Sequence, residues 1–166
     1  GVALWRMWNQ LGGAKPAYMA GHSLGEYTAL VCAESMDFPS AVKLVQLRGQ
    51  LMQNAVPEGK GGMAAIVGLG DVAVQRICRE QAEDQVLEAV NINAPGQIVI
   101  AGDMAALKRG MKAAEAAGAK MVRMLPVSAP CHSSLMKTAA DRLAHDLQGL
   151  PLRVPKVPVI HNLDAK

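Results

Sequence analysis

Gly21-His22-Ser23-Leu24-Gly25 is a G-x-S-x-G pentapeptide set between a strand-like stretch, Ala17 to Ala20, and a helical pattern from about Leu24 to Glu34. A strand that turns sharply into a helix around an exposed serine is the nucleophile elbow of α/β proteins. Flanking glycines permit the tight turn and a close approach of neighbouring backbone. The helix N-terminus then offers unpaired N–H groups and a positive dipole end to a developing oxyanion. The competing reading is a glycine-rich turn whose serine caps the helix. Pattern and context together predict an α/β fold with Ser23 as nucleophile.

Working outward, residues 2–11 carry apolar positions at helical spacing and stop at Gly12-Gly13, and a further helix is expected from about Pro39 to Asn54. The texture changes after Gly61. Met63 to Leu69 reads as a strand, and Asp71 can N-cap a helix carrying Val74, Ile77 and Cys78. Val86 to Ile92 and Gln97 to Ala101 read as strands joined around Asn93-Ala94-Pro95-Gly96. Asp103 can cap a helix with Met104, Leu107, Met111 and Ala114 on one stripe and Gly118 at its end, and Lys120 to Leu125 closes as a strand. This order, β-α-β-β-α-β, is the split βαβ or ferredoxin-like pattern. Ser128 to His132 then reads as a loop, Ser133 to Leu150 as a helix, and Val157 to His161 as a strand behind Pro151, Pro155 and Pro158. The expected architecture is a hydrolase-like α/β body, residues 1–56 and 128–166, with a ferredoxin-like α+β subdomain inserted over 57–127.

Composition excludes several classes. Hydrophobic residues at 51% against charged residues at 19% allow a packed core and exclude disorder as the main state. Aromatics are 3%, so the core must be aliphatic, with ten Met to fill gaps. No apolar run approaches the roughly 18 residues of a membrane span. The net charge of +3 is interspersed rather than blocked, which argues against nucleic acid as the main partner. Cys32, Cys78 and Cys131 lie far apart with no C-x-x-C pair, so neither a disulfide framework nor a zinc site is expected, and a reducing cytoplasm is the default compartment. The chain opens at Gly1 inside an amphipathic pattern and stops at Lys166 just after a strand-like run, which leads to the expectation of an internal piece of a longer protein.

Arg48 is the second informative residue. Wound as a helix, 39–54 puts Ala41, Leu44, Val45, Leu51 and Met52 on one face and Lys43, Gln46, Gln50 and Gln53 on the other, with Arg48 in the middle of the apolar face. A buried guanidinium needs a partner. Either an Asp or Glu of the chain supplies it, or the fork awaits a carboxylate that arrives with a substrate. Four histidines compete as general base. His22 sits on the sharp turn and points elsewhere; His145 lies in a long helix beside Asp146; His161 ends a strand. His132, in a loop just before a helix that Ser133 or Ser134 can cap, is the favoured candidate. Gly68-Leu69-Gly70 lacks the third glycine of a dinucleotide fingerprint and reads as a turn.

Three ordered segments together resemble a known family. Gly21-His22-Ser23-Leu24-Gly25-Glu26-Tyr27 is similar to the GHSLGE(Y/F) signature of malonyl-CoA:acyl carrier protein transacylases. Gln46-Leu47-Arg48-Gly49-Gln50-Leu51-Met52 is similar to that family's arginine helix, and Val127-Ser128-Ala129-Pro130-Cys131-His132-Ser133 to its VS-x-P-x-H-S segment. Ala89 to Gly102 fits the inserted subdomain. The resemblance implies malonyl transfer from coenzyme A to the phosphopantetheine thiol of acyl carrier protein through a seryl ester, in fatty-acid synthesis. It implies Ser23 as nucleophile, His132 as base, Arg48 as the site of the malonyl carboxylate, the Leu24 N–H as an oxyanion donor and His22 flanking the nucleophile. It implies malonyl-CoA and acyl carrier protein as partners, with no metal and no cofactor beyond the coenzyme A thioester as substrate. The family's G-Q-G segment and the segment that orients its histidine have no counterpart here. Two alternatives compete with it. An esterase or thioesterase would need an acidic triad member between Ser23 and His132, from Asp71, Asp84 or Asp103. A non-catalytic docking module would use Lys108, Arg109, Lys112, Lys120 and Arg123.

Overall fold

The computed structural model describes residues 1–166. In chain order the elements are α1 (Val2–Gln10), β1 (Met19–Ala20), α2 (Leu24–Cys32), α3 (Phe38–Ala55), β2 (Gly61–Val67), α4 (Asp71–Ala82), β3 (Leu87–Ala94) and β4 (Gln97–Asp103). They continue as α5 (Met104–Ala116), β5 (Met121–Met124), a 3-10 turn (Ser134–Met136), α6 (Lys137–Gln148) and β6 (Val159–Ile160). Parallel and antiparallel pairing both occur, so the fold is mixed α/β. Contacts divide the chain into two compact units, residues 1–48 with 145–166, and residues 49–144. No helix is long and apolar enough to cross a membrane.

In the second unit the strands form one antiparallel sheet in the order β3-β4-β2-β5. β2 and β4 are its centre, paired from Gly61↔Asp103 to Val67↔Gln97. The central strands are buried on both faces: Ile66, Ile98 and Ile100 are fully buried and meet Val74, Ile77 and Cys78 of α4 and Ala106, Leu107 and Ala114 of α5, while Met63, Val99 and Ala101, at the alternate positions, form a second buried cluster. On α4 these are the residues the helical spacing predicts; on α5 Leu107 and Ala114 are, while the expected Met104 and Met111 are only partly buried at the edge of the core and Ala106 is buried instead. The β3–β4 connection is tighter than the expected four-residue turn. Ala94 pairs with Gln97, leaving Pro95-Gly96 as the loop, with Gly96 at φ +71° where a side chain would be strained.

The expected caps are corrected. Gly70 precedes the first turn of α4, and Asp71 lies inside that turn, where its charge favours the helix dipole. Asp103 stands at the N-cap of α5, but its Oδ2 accepts from the Val86 N–H at 2.8 Å while its own N–H donates to the Val86 carbonyl at 2.9 Å. It therefore seats the start of β3, where a strand-head amide would otherwise lack a partner. Ser133 does not cap by its side chain; its Oγ donates to the Pro130 carbonyl, and the Ser134 N–H donates to Glu88 Oε2 at 2.7 Å. The predicted helix from Ser133 accordingly begins as a 3-10 turn. Arg109, expected at a docking face, is half-buried. Its guanidinium donates to the Gln81 and Ala82 carbonyls at the end of α4 and faces Glu83 at 3.3 Å. Those carbonyls have no helical partner, so this cation closes a helix terminus.

In the first unit, β1 runs parallel to β6, with Met19 opposite Val159 and Ala20 opposite Ile160. Both strands are shorter than the sequence suggests; Pro158 has no N–H to extend the ladder. Ala29 and Ala33 of α2 and its end pack on Val159, with Met19 and Leu30 alongside. The proline-rich connection is tied down by the exchange of Ser35 and Arg153 backbone and side-chain bonds and by a Lys156–Glu34 ion pair at 2.7 Å. α1 buries no residue, and Leu4 and Leu11 are exposed.

Candidate active site

Because β1 and β6 are parallel and in register, the residues leaving them emerge side by side: Gly21-His22-Ser23 from one, His161-Asn162 from the other. The chain turns at Ser23, which sits at φ +51°, ψ −110°, and α2 starts at the next residue. A serine at positive φ is strained and persists only where its surroundings hold it. One glycine of the pentapeptide is required by closeness. A Cβ on Gly21 would lie 2.0 Å from the Gly25 carbonyl group, so the strand can meet the helix start only without a side chain there.

Five contacts hold the elbow. The Ser23 N–H donates to Asn162 Oδ1 at 2.9 Å. Asn162 Nδ2 donates to the Gly21 carbonyl and, at 2.6 Å, to Glu26 Oε2, which also accepts from the Asn162 N–H at 3.0 Å. His161 Nδ1 lies 2.8 Å from Glu26 Oε1. Partial burial works to raise the Glu26 pKa, but the bonds from His161 and Asn162 outweigh it and hold the carboxyl below its ordinary range.

Arg48, on α3, donates from Nη2 to Ser23 Oγ at 2.9 Å, and its guanidinium carbon stands 5.8 Å from the centre of the Tyr27 ring. It is half-buried rather than enclosed, and of the predicted apolar face of α3 only Ala41 and Leu44 are fully buried. None of the chain's ion pairs involves Arg48. Burial pushes the Tyr27 hydroxyl pKa up, against the opposing charge of Arg48.

Leu24 is the first residue of α2, so its N–H has no carbonyl within the helix to bond; its side chain is half exposed. His22 is exposed, and its carbonyl accepts from the Gly25 N–H at 2.8 Å. The first unit thus brings together Ser23, Leu24, His22 and Arg48. His132 belongs to the second unit, exposed in the loop after Pro130, and at φ +66° it too is a non-glycine residue in the left-handed region. No group of three or more His, Cys, Asp or Glu is placed to hold a metal.

Sequence reasoning missed Asn162 altogether and left His161 ambiguous. The available signal was position: both follow a strand that can pair in parallel with the strand before the elbow. Glu26 was legible only as part of the family signature.

The fold and the site together define a mixed α/β protein that presents a strained serine at a strand-to-helix elbow beside an arginine. The acyl transferase domain family matches residues 1–166, and the chain belongs to it. It is 56% identical over 165 residues to a malonyl CoA-acyl carrier protein transacylase of Salmonella typhimurium, which covers 99% of this chain and 53% of the relative. The solved malonyl CoA-acyl carrier protein transacylase (fabD) of Coxiella burnetii superposes with a TM-score of 0.97 at 51% identity, over 99% of this chain and 52% of that one. A malonyl-transacylase solved in complex with a type II PKS acyl-carrier protein gives a TM-score of 0.97 at 53% identity, over 99% and 53%. The chain spans about half the length of the curated relatives it matches.

Proposed function

We propose that the chain contributes the nucleophile and the carboxylate fork of a malonyl-CoA:acyl carrier protein transacylase acting in fatty-acid synthesis in the cytoplasm. The observation that carries the reading is the Arg48–Ser23 hydrogen bond at a strained elbow. In a malonyl ester of Ser23 the free carboxylate is three bonds from Oγ, so an arginine already bonded to Oγ is within reach of it. A guanidinium with no carboxylate of its own chain is a suitable acceptor site for that charge.

The chemistry balances as two transfers. Ser23 Oγ attacks the thioester carbonyl while His132, proposed as base, takes its proton. The tetrahedral oxyanion faces the Leu24 N–H at the positive end of α2. Collapse breaks the C–S bond, and the proton on His132 goes to the departing coenzyme A sulfur. In the second half-reaction the phosphopantetheine thiol gives its proton to His132 and attacks the seryl ester, and the proton returns to Ser23 Oγ as that ester breaks. His22, through its carbonyl bond to Gly25, shapes the turn and takes no proton. No cofactor is needed beyond the thioester itself. Acetyl groups would leave the arginine unpaired, which is the basis for selecting malonyl.

For the architecture, we read residues 1–56 with 128–166 as the hydrolase-like body and 57–127 as an inserted ferredoxin-like subdomain. The β3-β4-β2-β5 sheet order with α4 and α5 packed against it supports the second part. The parallel β1–β6 pair feeding the elbow supports the first.

The test is intact-mass spectrometry of the protein as it occurs in the cell after brief exposure to malonyl-CoA. A malonyl adduct that is lost in Ser23→Ala and forms poorly from acetyl-CoA is the expected result. An adduct that survives Ser23→Ala, or equal labelling by acetyl-CoA, would sink the reading.

A further inference from the structure

Ser23 holds a conformation that serine avoids, and one distant side chain grips the main chain at Ser23 and two residues before it. We propose that Asn162 is a positioning residue for the nucleophile, fixing the Ser23 backbone at the elbow, and that Glu26 fixes Asn162. The proposal rests on Ser23 being the nucleophile.

The amide of Asn162 fits in one orientation. The Ser23 N–H needs an acceptor, while the Gly21 carbonyl and the Glu26 carboxylate need donors; only Oδ1 toward Ser23 and Nδ2 toward the other two satisfies all three. The two main-chain groups so held lie two residues apart and bracket His22. Rotation of Ser23 out of φ +51° would swing the start of α2 away from this anchored segment and break the bonds from Asn162 to Glu26.

Glu26 occupies the third position of α2, from which a capping-box glutamate reaches back to the N–H of the cap residue. Here Asn162 is interposed. Ser23 donates to Asn162, and Asn162 donates to Glu26, so the box is closed by a residue from the end of β6. His161 occupies the other carboxylate oxygen and keeps Glu26 aimed at Asn162. The arrangement also allots the amides of the turn. Asn162 takes the Ser23 N–H, and the Leu24 N–H, which has no partner within the helix, is the one left facing the reaction.

Asn162 is itself solvent-facing, so replacing it disturbs folding little and the chemical readout isolates positioning. The experiment measures single-turnover acylation by malonyl-CoA with rapid quench and intact mass, on the protein as it occurs in the cell. Asn162→Ala and the isosteric Asn162→Asp are expected to slow acylation on the order of 10²-fold, the cost of a small misplacement of a reacting group. The fraction of enzyme acylated, and malonyl-CoA affinity measured in a Ser23→Ala background, stay unchanged. Glu26→Ala slows acylation too, and Glu26→Gln, which keeps an oxygen for Asn162, loses less than Glu26→Ala. Unchanged rates in both Asn162 variants would overturn the proposal. So would a reduced acylated fraction at an unchanged rate, the mark of a folding role. An adduct that persists in Ser23→Ala would overturn the underlying reading of Ser23 instead. Should Asn162→Ala fail to fold, Asn162→Asp decides.

Discussion

Arg48 spends one of its five donors on Ser23 Oγ and presents its face to Tyr27, and no acid of the chain neutralises it. On the proposed reading, that charge serves a carboxylate that arrives with the substrate rather than the fold. Replacing it should therefore change selectivity more than stability. Arg48→Ala is expected to lower the ratio of malonyl to acetyl labelling of Ser23 by on the order of 10²-fold, the worth of a charged hydrogen bond of about 3 kcal/mol. Arg48→Lys should recover only part of it, because an ammonium lacks the planar fork. Competition between the two thioesters, read by intact mass, checks both. The odd placement of this residue on an apolar helix face was visible from sequence. Its partner was not, because a contact between the elbow serine and an α3 side chain leaves no mark in the helix's periodicity.

Elements were legible where periodicity decides them. α4 buries the stripe its spacing predicts and α5 buries Leu107 and Ala114 of its own, and β2 and β4 run as apolar segments because they are the centre of a sheet covered on both faces. What escaped was the destination of polar side chains. Asp103 and Ser133 carry good capping chemistry, yet each bonds a backbone group that only the folded sheet or loop brings near. Asn162 is the extreme case, since its partners lie on another strand's exit. One buried group makes an element-level prediction. Burial of Cys78 on α4, together with the charge of Glu88, pushes its thiol up to about 11 from an ordinary 9.0. Between those values the unfolded chain has lost the proton that the folded chain keeps, so stability falls as pH rises, by about 1.4 kcal/mol per pH unit. Urea unfolding at pH 8.5 and at pH 10.5 should show a smaller alkaline loss in Cys78→Ala than in the parent.

On the scale of the molecule, the two compact units are built differently. The second has a continuous core in which Ile66, Ile98, Ile100, Val74 and Leu107 are fully buried. The first, around Ala29, Ala33 and Val159, is held largely by backbone and side-chain bonds between residues far apart in sequence, and its α1 buries nothing. Hydrogen exchange should accordingly be slowest at the amides of β2 and β4 and fastest in α1, since local opening follows buried contact. Equal protection in α1 and β4 would contradict this ordering. The bond from Ser23 to Asn162 spans 139 residues of chain. A ribosome adding roughly 5–20 residues per second needs about 7 to 28 s to bridge that interval. Throughout it the serine has been made but its clamp has not. The growing chain therefore carries the strained turn at Ser23 without the side chain that holds it, and the elbow can set only once residue 162 has been added.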